Sequence, residues 1–271
     1  MSAGWKTAAK NLVPPAWRRA VRRIVRGPVY SGDYASWTEV AAASQGYAAA
    51  VIFEKTLAAA RAVRDGRAAW ERDTVLFSAP AANPPLLAAL HRAAAANGGN
   101  LNLVDFGGAL GSTWWQHRPW LAGLKEVRWS VVEQPQLVEA GRCEFTAGPL
   151  RFHDSLEACC AAERPGVILL SSVLPYLETP HALLAAIHGH GFSHVIIDRT
   201  GFVPRGRDRL TVQNVPPAIY RASYPCWFFD RKSLLQPFAA EWRVLAEWPT
   251  GDEVDIDAEH RGLMLEKITQ R

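Results

Sequence analysis

The sequence predicts an α/β protein: a seven-stranded, mostly parallel sheet with helices on both faces, preceded by a helical N-terminal layer. Three observations carry this. From Leu101 onward, short apolar runs (LNLVDF, EVRWSVVE, PLRFH, GVILLSS, SHVIIDRT) alternate with stretches of helical rhythm. Continuous apolar runs of that length, separated by helices, mark strands buried on both faces. Two later runs, WRVLAEW and GLMLEKI, follow a last helix over about 231–240 and supply a terminal strand pair. Residues 38–99, by contrast, are alanine-rich with helical spacing only. The chain therefore divides into a basic arm (1–32), a helical layer (33–99) and a Rossmann-like domain (100–271).

The arm comes first. Pro14 and Pro15 can open a helix at its first turn, where the missing N–H costs nothing. Trp17, Ala20, Val21, Ile24 and Val25 then recur at spacings of three and four, with arginines between them, up to Gly27-Pro28. Residues 12–26 thus form either a basic amphipathic helix for an anionic membrane surface or a helix packed on the domain. Seven Lys and Arg residues precede Asp33, the first acid, although the whole chain carries only +4. Everything after the arm is mildly acidic, and a nucleic-acid-binding domain is not expected. No apolar run approaches the roughly 18 residues of a membrane span, and the arm lacks a signal-peptide core. Cys143, Cys159, Cys160 and Cys226 have no metal-ligand or CxxC spacing. A cytoplasmic location is therefore expected, with the inner face of the membrane open to the arm.

Helices are expected over 38–44, 47–65 and 84–96, closed by Gly46, Gly66 and Asn97-Gly98-Gly99. Their alanine stripes read as packing surfaces. The first strand of the sheet then runs into VDFGGALGS, which places Asp105 at a strand end before Gly107, Gly108 and Gly111. Glycines there permit positive φ and let a ligand lie against the backbone. A strand, glycine loop and helix alone also suit nicotinamide and flavin enzymes. The spacing here is not GxGxxG, however, and an acid stands two residues before the first glycine, which favours S-adenosylmethionine (SAM). Glu133, closing WSVVE, can accept both hydrogen bonds of a ribose diol. At the third strand end, Asp154 or Ser155 could meet an adenine amino group or simply cap the next helix. Ser172 and Tyr176, in SSVLPYLE, follow the fourth strand at the ligand-binding edge, as cofactor-side or acceptor-side groups. Asp198 and Arg199 leave the fifth strand together, as a site pair or as a structural ion pair.

Taken in order, YASWTEV with SQGY, ERDTVLF, LVDFGGALGS, WSVVEQP, VILLSSVLPYLETP, VIIDRTGF, DRLTVQNVPPAIYRASYPCWFF and GLMLEK resemble a bacterial family of class I, SAM-dependent methyltransferases. That family is often associated with surface-polysaccharide gene clusters. The likeness runs from about Tyr34 to the C-terminus. It implies methyl transfer from SAM to a small-molecule or glycan acceptor, and it does not fix which one. The segment Asp208–Phe229 carries Arg209, Gln213, Asn214, Tyr220, Tyr224 and Trp227, a mixture of polar and aromatic groups that suits a sugar.

Methylation of a hydroxyl needs a base within hydrogen-bond reach of the proton. Asp198 or His153 is the expected base, with Tyr176 and Arg199 orienting the acceptor. No metal triad is visible in the sequence, so metal-independent transfer is expected. Two rival readings stand beside this one. A nicotinamide-dependent sugar oxidoreductase or epimerase would want GxGxxG and often Tyr-x-x-x-Lys, neither of which occurs. A non-catalytic module associated with polysaccharide enzymes could keep the fold without turnover.

Overall fold

The computed structural model describes residues 28–44, 49–146, 148–204, 206–215 and 222–268. Residues 1–27, with the expected helix of the basic arm, and Tyr220 lie outside them. The sheet begins with β4 (Asn100–Phe106), followed by β5 (Glu126–Val132), β6 (Leu150–His153), β7 (Val167–Ser171) and β8 (His194–Val203). These five run parallel in the order β6-β5-β4-β7-β8. β12 (Glu259–Lys267) pairs antiparallel with β8, and β11 (Trp242–Pro249) pairs antiparallel with β12. The seven strands expected from the sequence are therefore present, and in one sheet.

Alternation along the strands builds two cores. In β7, Val167 and Leu169 face one side of the sheet while Ile168 and Leu170 face the other. On the first side they join α3 (Pro84–Ala96), α4 (Ser112–Leu121) and α5 (Pro135–Glu144); Leu86, Leu90, Trp129 and Phe145 are buried there. On the second side lie α6 (Leu156–Glu163) and α7 (Pro180–Ala186), with Leu184, Val195 and Phe192. Burying one such aliphatic side chain stabilises by roughly 1.5–3 kcal/mol, so both faces contribute heavily. No helix among the described residues is long and apolar enough to cross a membrane.

The N-terminal stretch departs from an all-helical layer. Tyr30–Tyr34 is a strand, β1, and Trp70–Arg72 (β2) and Val75–Phe77 (β3) form a hairpin. Two of its helices, α1 (Trp37–Ala43) and α2 (Ala49–Arg64), fall where the glycine punctuation places them. Ser36 and Glu39 make a reciprocal cap at α1: the Ser36 hydroxyl accepts from the Glu39 amide and the Glu39 carboxylate accepts from the Ala35 amide. The segment 208–229, whose polar and aromatic groups were expected to suit a sugar, supplies β9 (Arg209–Asn214) and β10 (Ser223–Asp230). β10 pairs parallel with the far end of β8, beyond the reach of β7, and carries β9 and β1 outward as an antiparallel annex. The last expected helix is shorter than its rhythm suggests: α8 (Arg231–Leu235) and a 3₁₀ turn.

Candidate functional site

Strand order reverses between β4 and β7, and open α/β sheets bind ligands in the crevice at that point. A cavity of about 1190 Å³ lies there. Its floor is the carboxyl ends of β4, β5, β7 and β8; its roof is α2 (Ile52, Phe53, Thr56), the β2–β3 turn, Tyr30 of β1 and Gln213 of β9.

At one end stands the glycine loop. Asp105 is buried on the α3/α4 side of β4, where its Oδ2 accepts from the Trp129 indole at 3.1 Å. Burial raises its carboxyl pKa to about 7. The two lining glycines answer different needs. Gly107 has φ +74°, and a Cβ there would sit 2.4 Å from Val173 Cγ2. A Cβ on Gly108 would sit 2.6 Å from Asp105 Cγ, so the loop lies directly on that carboxyl. Gly111, with φ +85°, turns the chain into α4 against Leu150 and does not line the cavity. Glu133 faces the same loop; its Oε2 accepts from the Gln134 amide at 2.6 Å, and burial raises its pKa. Asp154 and Ser155 both line the cavity, Asp154 paired with Arg142 at 2.8 Å and Ser155 capping α6 through the Ala158 amide. Ser172 lines it with φ +58°, its amide donating to the Asp198 carbonyl.

Glu71, in the hairpin, was not singled out from the sequence. It is buried, lines the cavity, and its carboxylate accepts from the Ser112 hydroxyl and from the Thr74 amide. Burial raises its pKa. The turn that presents it, Asp73-Thr74, has φ of +52° and +69°. Non-glycine residues pay for that conformation and persist in it where the surroundings hold them. The segment ERDTVLF held the signal, an acid beside a two-residue turn, but three-residue strands have too little periodicity to be read.

The other end of the cavity gathers Tyr30, Tyr176, Arg199, Gln213, Tyr224, Asp252 and His260. The Tyr176 hydroxyl donates to Gln213 Oε1 at 3.0 Å, and its ring packs edge-on against Tyr224. Burial holds the Tyr30 phenol well above the usual tyrosine range, whereas Tyr176 is 37% exposed. Arg199 lies at the carboxyl edge of β8 with φ +50°, its guanidinium 3.2 Å from Asp73 and 3.6 Å from Asp252.

Both expected bases are elsewhere. Asp198 shares the face of Ile196 and points into the core; Trp248 donates to its Oδ1 at 2.9 Å and Asn83 to its Oδ2 at 3.2 Å. It does not line the cavity. His153 alternates with Phe152, so it leaves the opposite face of β6 toward Glu163 of α6, with Nε2 3.7 Å from that carboxylate. Arg209 is likewise a clamp, donating twice to the Gly32 carbonyl, and Trp227 donates to the Leu177 carbonyl. Neither lines the cavity, and Asn214 reaches the Pro28 carbonyl instead.

The lining is strongly acidic. Glu71, Asp105, Glu133, Asp154 and Glu157 surround the glycine-loop end, and Asp73, Asp252 and Glu253 the other. Among the described lining residues the only arginines are Arg72 and Arg199, and there is no lysine. Arg72 lies over the Trp70 ring, 5.7 Å from its centroid, and Arg199 is held between two carboxylates. Among the described residues, no three His, Cys, Asp or Glu side chains are grouped to hold a metal ion.

No family model matches the sequence, and no curated protein is similar to it in sequence. Among solved structures, the chain is similar to 1,6-didemethyltoxoflavin-N1-methyltransferase of Burkholderia thailandensis: 18% identity, 88% of this chain and 93% of that one, TM-score 0.45. It is similar to the N-terminal domain of EvdMO1, with S-adenosylhomocysteine (SAH) and D-fucose present, at 16% identity over 78% of this chain and 95% of that one, TM-score 0.46. It is also similar to magnesium protoporphyrin IX methyltransferase of Synechocystis PCC 6803, with SAM bound, at 12% identity over 68% and 78%, TM-score 0.43.

Proposed function

We propose that the protein is a SAM-dependent methyltransferase acting on a hydroxyl or amine of a small molecule, a sugar or surface-polysaccharide precursor. The observation that carries this is an acid-lined cavity at the switch point with Asp105 lying against the glycine loop and Glu133 one strand away. SAM carries a sulfonium and an ammonium against one carboxylate, so it is a net cation and gains from such a lining. A dinucleotide pyrophosphate carries two negative charges. It would approach the loop where Gly108 touches the Asp105 carboxyl, with no lysine among the described lining residues to meet it. That disfavours the nicotinamide reading.

The residues fit the cofactor in chemistry. Glu133 suits a ribose diol, the Gly107–Ala109 backbone leaves room for a ligand, and Asp154 or Ser155 suits the adenine edge. Glu71 would face the amino-acid end, and it holds the start of α4 through Ser112. When bound, SAM supplies an activated methyl group; the protein's contribution is to orient the acceptor and exclude water, and positioning of this kind accounts for much of the acceleration in displacement reactions.

Isothermal titration with SAH and with NAD tests the reading. Saturable SAH binding at micromolar concentrations is expected, with none for NAD, and Glu133→Ala should weaken SAH at least tenfold. NAD binding in preference to SAH would overturn it.

A further inference from the structure

The expected bases, Asp198 and His153, point away from the cavity, which leaves proton removal without a group. His260 supplies one. It sits on β12 opposite Gly201 of β8 and lines the cavity at the end remote from the glycine loop. Its ring is fixed by aromatic neighbours: centroids lie 5.8 Å from Phe228 and 6.4 Å from Tyr30, which themselves stack edge-on at 4.9 Å. The Asp255 carboxylate accepts from the Val29 and Tyr30 amides and so pins β1, with Tyr30, beside this ring. Nδ1 of His260 is buried beside the Asp252 backbone, which leaves Nε2 as the nitrogen that can meet a ligand in the cavity.

The charged and titratable groups that face this ring are Tyr30 from β1, Arg199 from β8 and Asp252 from the segment before β12. The Arg199 charge is already matched by Asp73 and Asp252. A phosphate entering here would meet further carboxylates and no lysine; a neutral hydroxyl compound meets phenols, the Gln213 amide and an imidazole. Resting on the methyltransferase reading, we propose that this end of the cavity takes an uncharged hydroxyl-bearing molecule, free of phosphate, and that His260 removes the proton of the hydroxyl that is methylated. In that step the acceptor O–H bond breaks and its proton passes to the imidazole. The oxygen forms its bond to the methyl carbon as the carbon–sulfur bond breaks, leaving the electron pair on sulfur. Burial keeps the His260 pKa below that of a free histidine, with Asp252 opposing in part, so the ring is neutral and able to accept.

The test uses the full chain. Labelled SAM is incubated with methyl glycosides of hexoses and 6-deoxyhexoses, and in parallel with the nucleoside-diphosphate forms of the same sugars. Label is expected in the neutral pool, at least a hundredfold reduced in His260→Gln while SAH affinity by titration stays within twofold of the parent. Label in the nucleotide-sugar pool, or in neither, overturns the acceptor class; full turnover by His260→Gln overturns the base. Loss of SAH binding by the parent would instead remove the underlying methyltransferase reading. Long-range ¹⁵N spectra of the histidine-labelled parent, assigned with His260→Gln, give a readout that needs no acceptor: a neutral ring at pH 7 is expected, and an imidazolium there overturns the proposal.

Discussion

Asp105 and Asp198 are both acids at the carboxyl end of an apolar strand, both turned toward the α3/α4 side, and their fates differ because the chain leaves them differently. After Asp105 it breaks into glycines that bring backbone onto the carboxyl. After Asp198 the strand continues through Thr200 and Phe202, and the carboxyl is closed over by Asn83 and Trp248. Sequence reading places Asp105 and Glu133 in the cavity because strand ends and glycines are local. It cannot place Asp198, whose partners lie 115 and 50 residues away. His153 is misplaced for a simpler reason, the two-residue alternation of its strand. Asp198→Ala should therefore act on stability: leaving the Trp248 and Asn83 donors unpaired costs roughly 1–3 kcal/mol, measurable as a lowered urea midpoint, with SAH affinity unchanged. Gly108→Ala should act on both, lowering the urea midpoint because a Cβ would collide with the Asp105 carboxyl and, by displacing the loop, reducing SAH affinity tenfold or more; unchanged affinity would mean that the loop is not a ligand cradle.

The long elements of the sheet were legible because burial on both faces leaves uninterrupted apolar runs. The annex was not. RLTVQN alternates as a half-buried strand should, yet its partners, β1 and β10, are set by contacts such as Tyr30 with Gln213 that no local pattern contains. The β2–β3 hairpin was also illegible, since its turn lacks the glycine that usually announces one. That absence makes a prediction. Thr74 has φ +69° and its amide donates to Glu71. Thr74→Gly should relieve the backbone and raise stability by about 1 kcal/mol while keeping the amide in place. A drop in thermal midpoint would show that the threonine side chain holds the turn by itself. Glu71→Gln, by contrast, should leave the hairpin intact and weaken SAH several-fold.

For the molecule as a whole, the cavity gathers carboxylic acids that folding alone would not tolerate so densely. Burial raises Asp105 to about 7, and raises Glu71 and Glu133 as well. A carboxyl with a raised folded-state pKa stabilises fully below its unfolded value, near 4, and that stabilisation is lost as pH rises through the folded value. The Asp105 contribution should thus disappear between about pH 4 and 7. His117, His194 and His260, with lowered pKa values, work in the opposite sense below about pH 6.5. Total stability against pH therefore mixes both signs, and only a difference isolates the acid. The unfolding free energy of Asp105→Asn minus that of the parent, from urea titrations at pH 4.5, 6 and 8, should increase with pH by a few kcal/mol. A constant difference would mean that Asp105 is ionised across the range and already compensated. A net cation in the cavity reverses the sign of that burden, because it favours the ionised carboxylate. The thermal shift produced by SAM should consequently grow from pH 5.5 to 8 in the parent and grow less steeply in Asp105→Asn, where Glu71 and Glu133 are left to answer it.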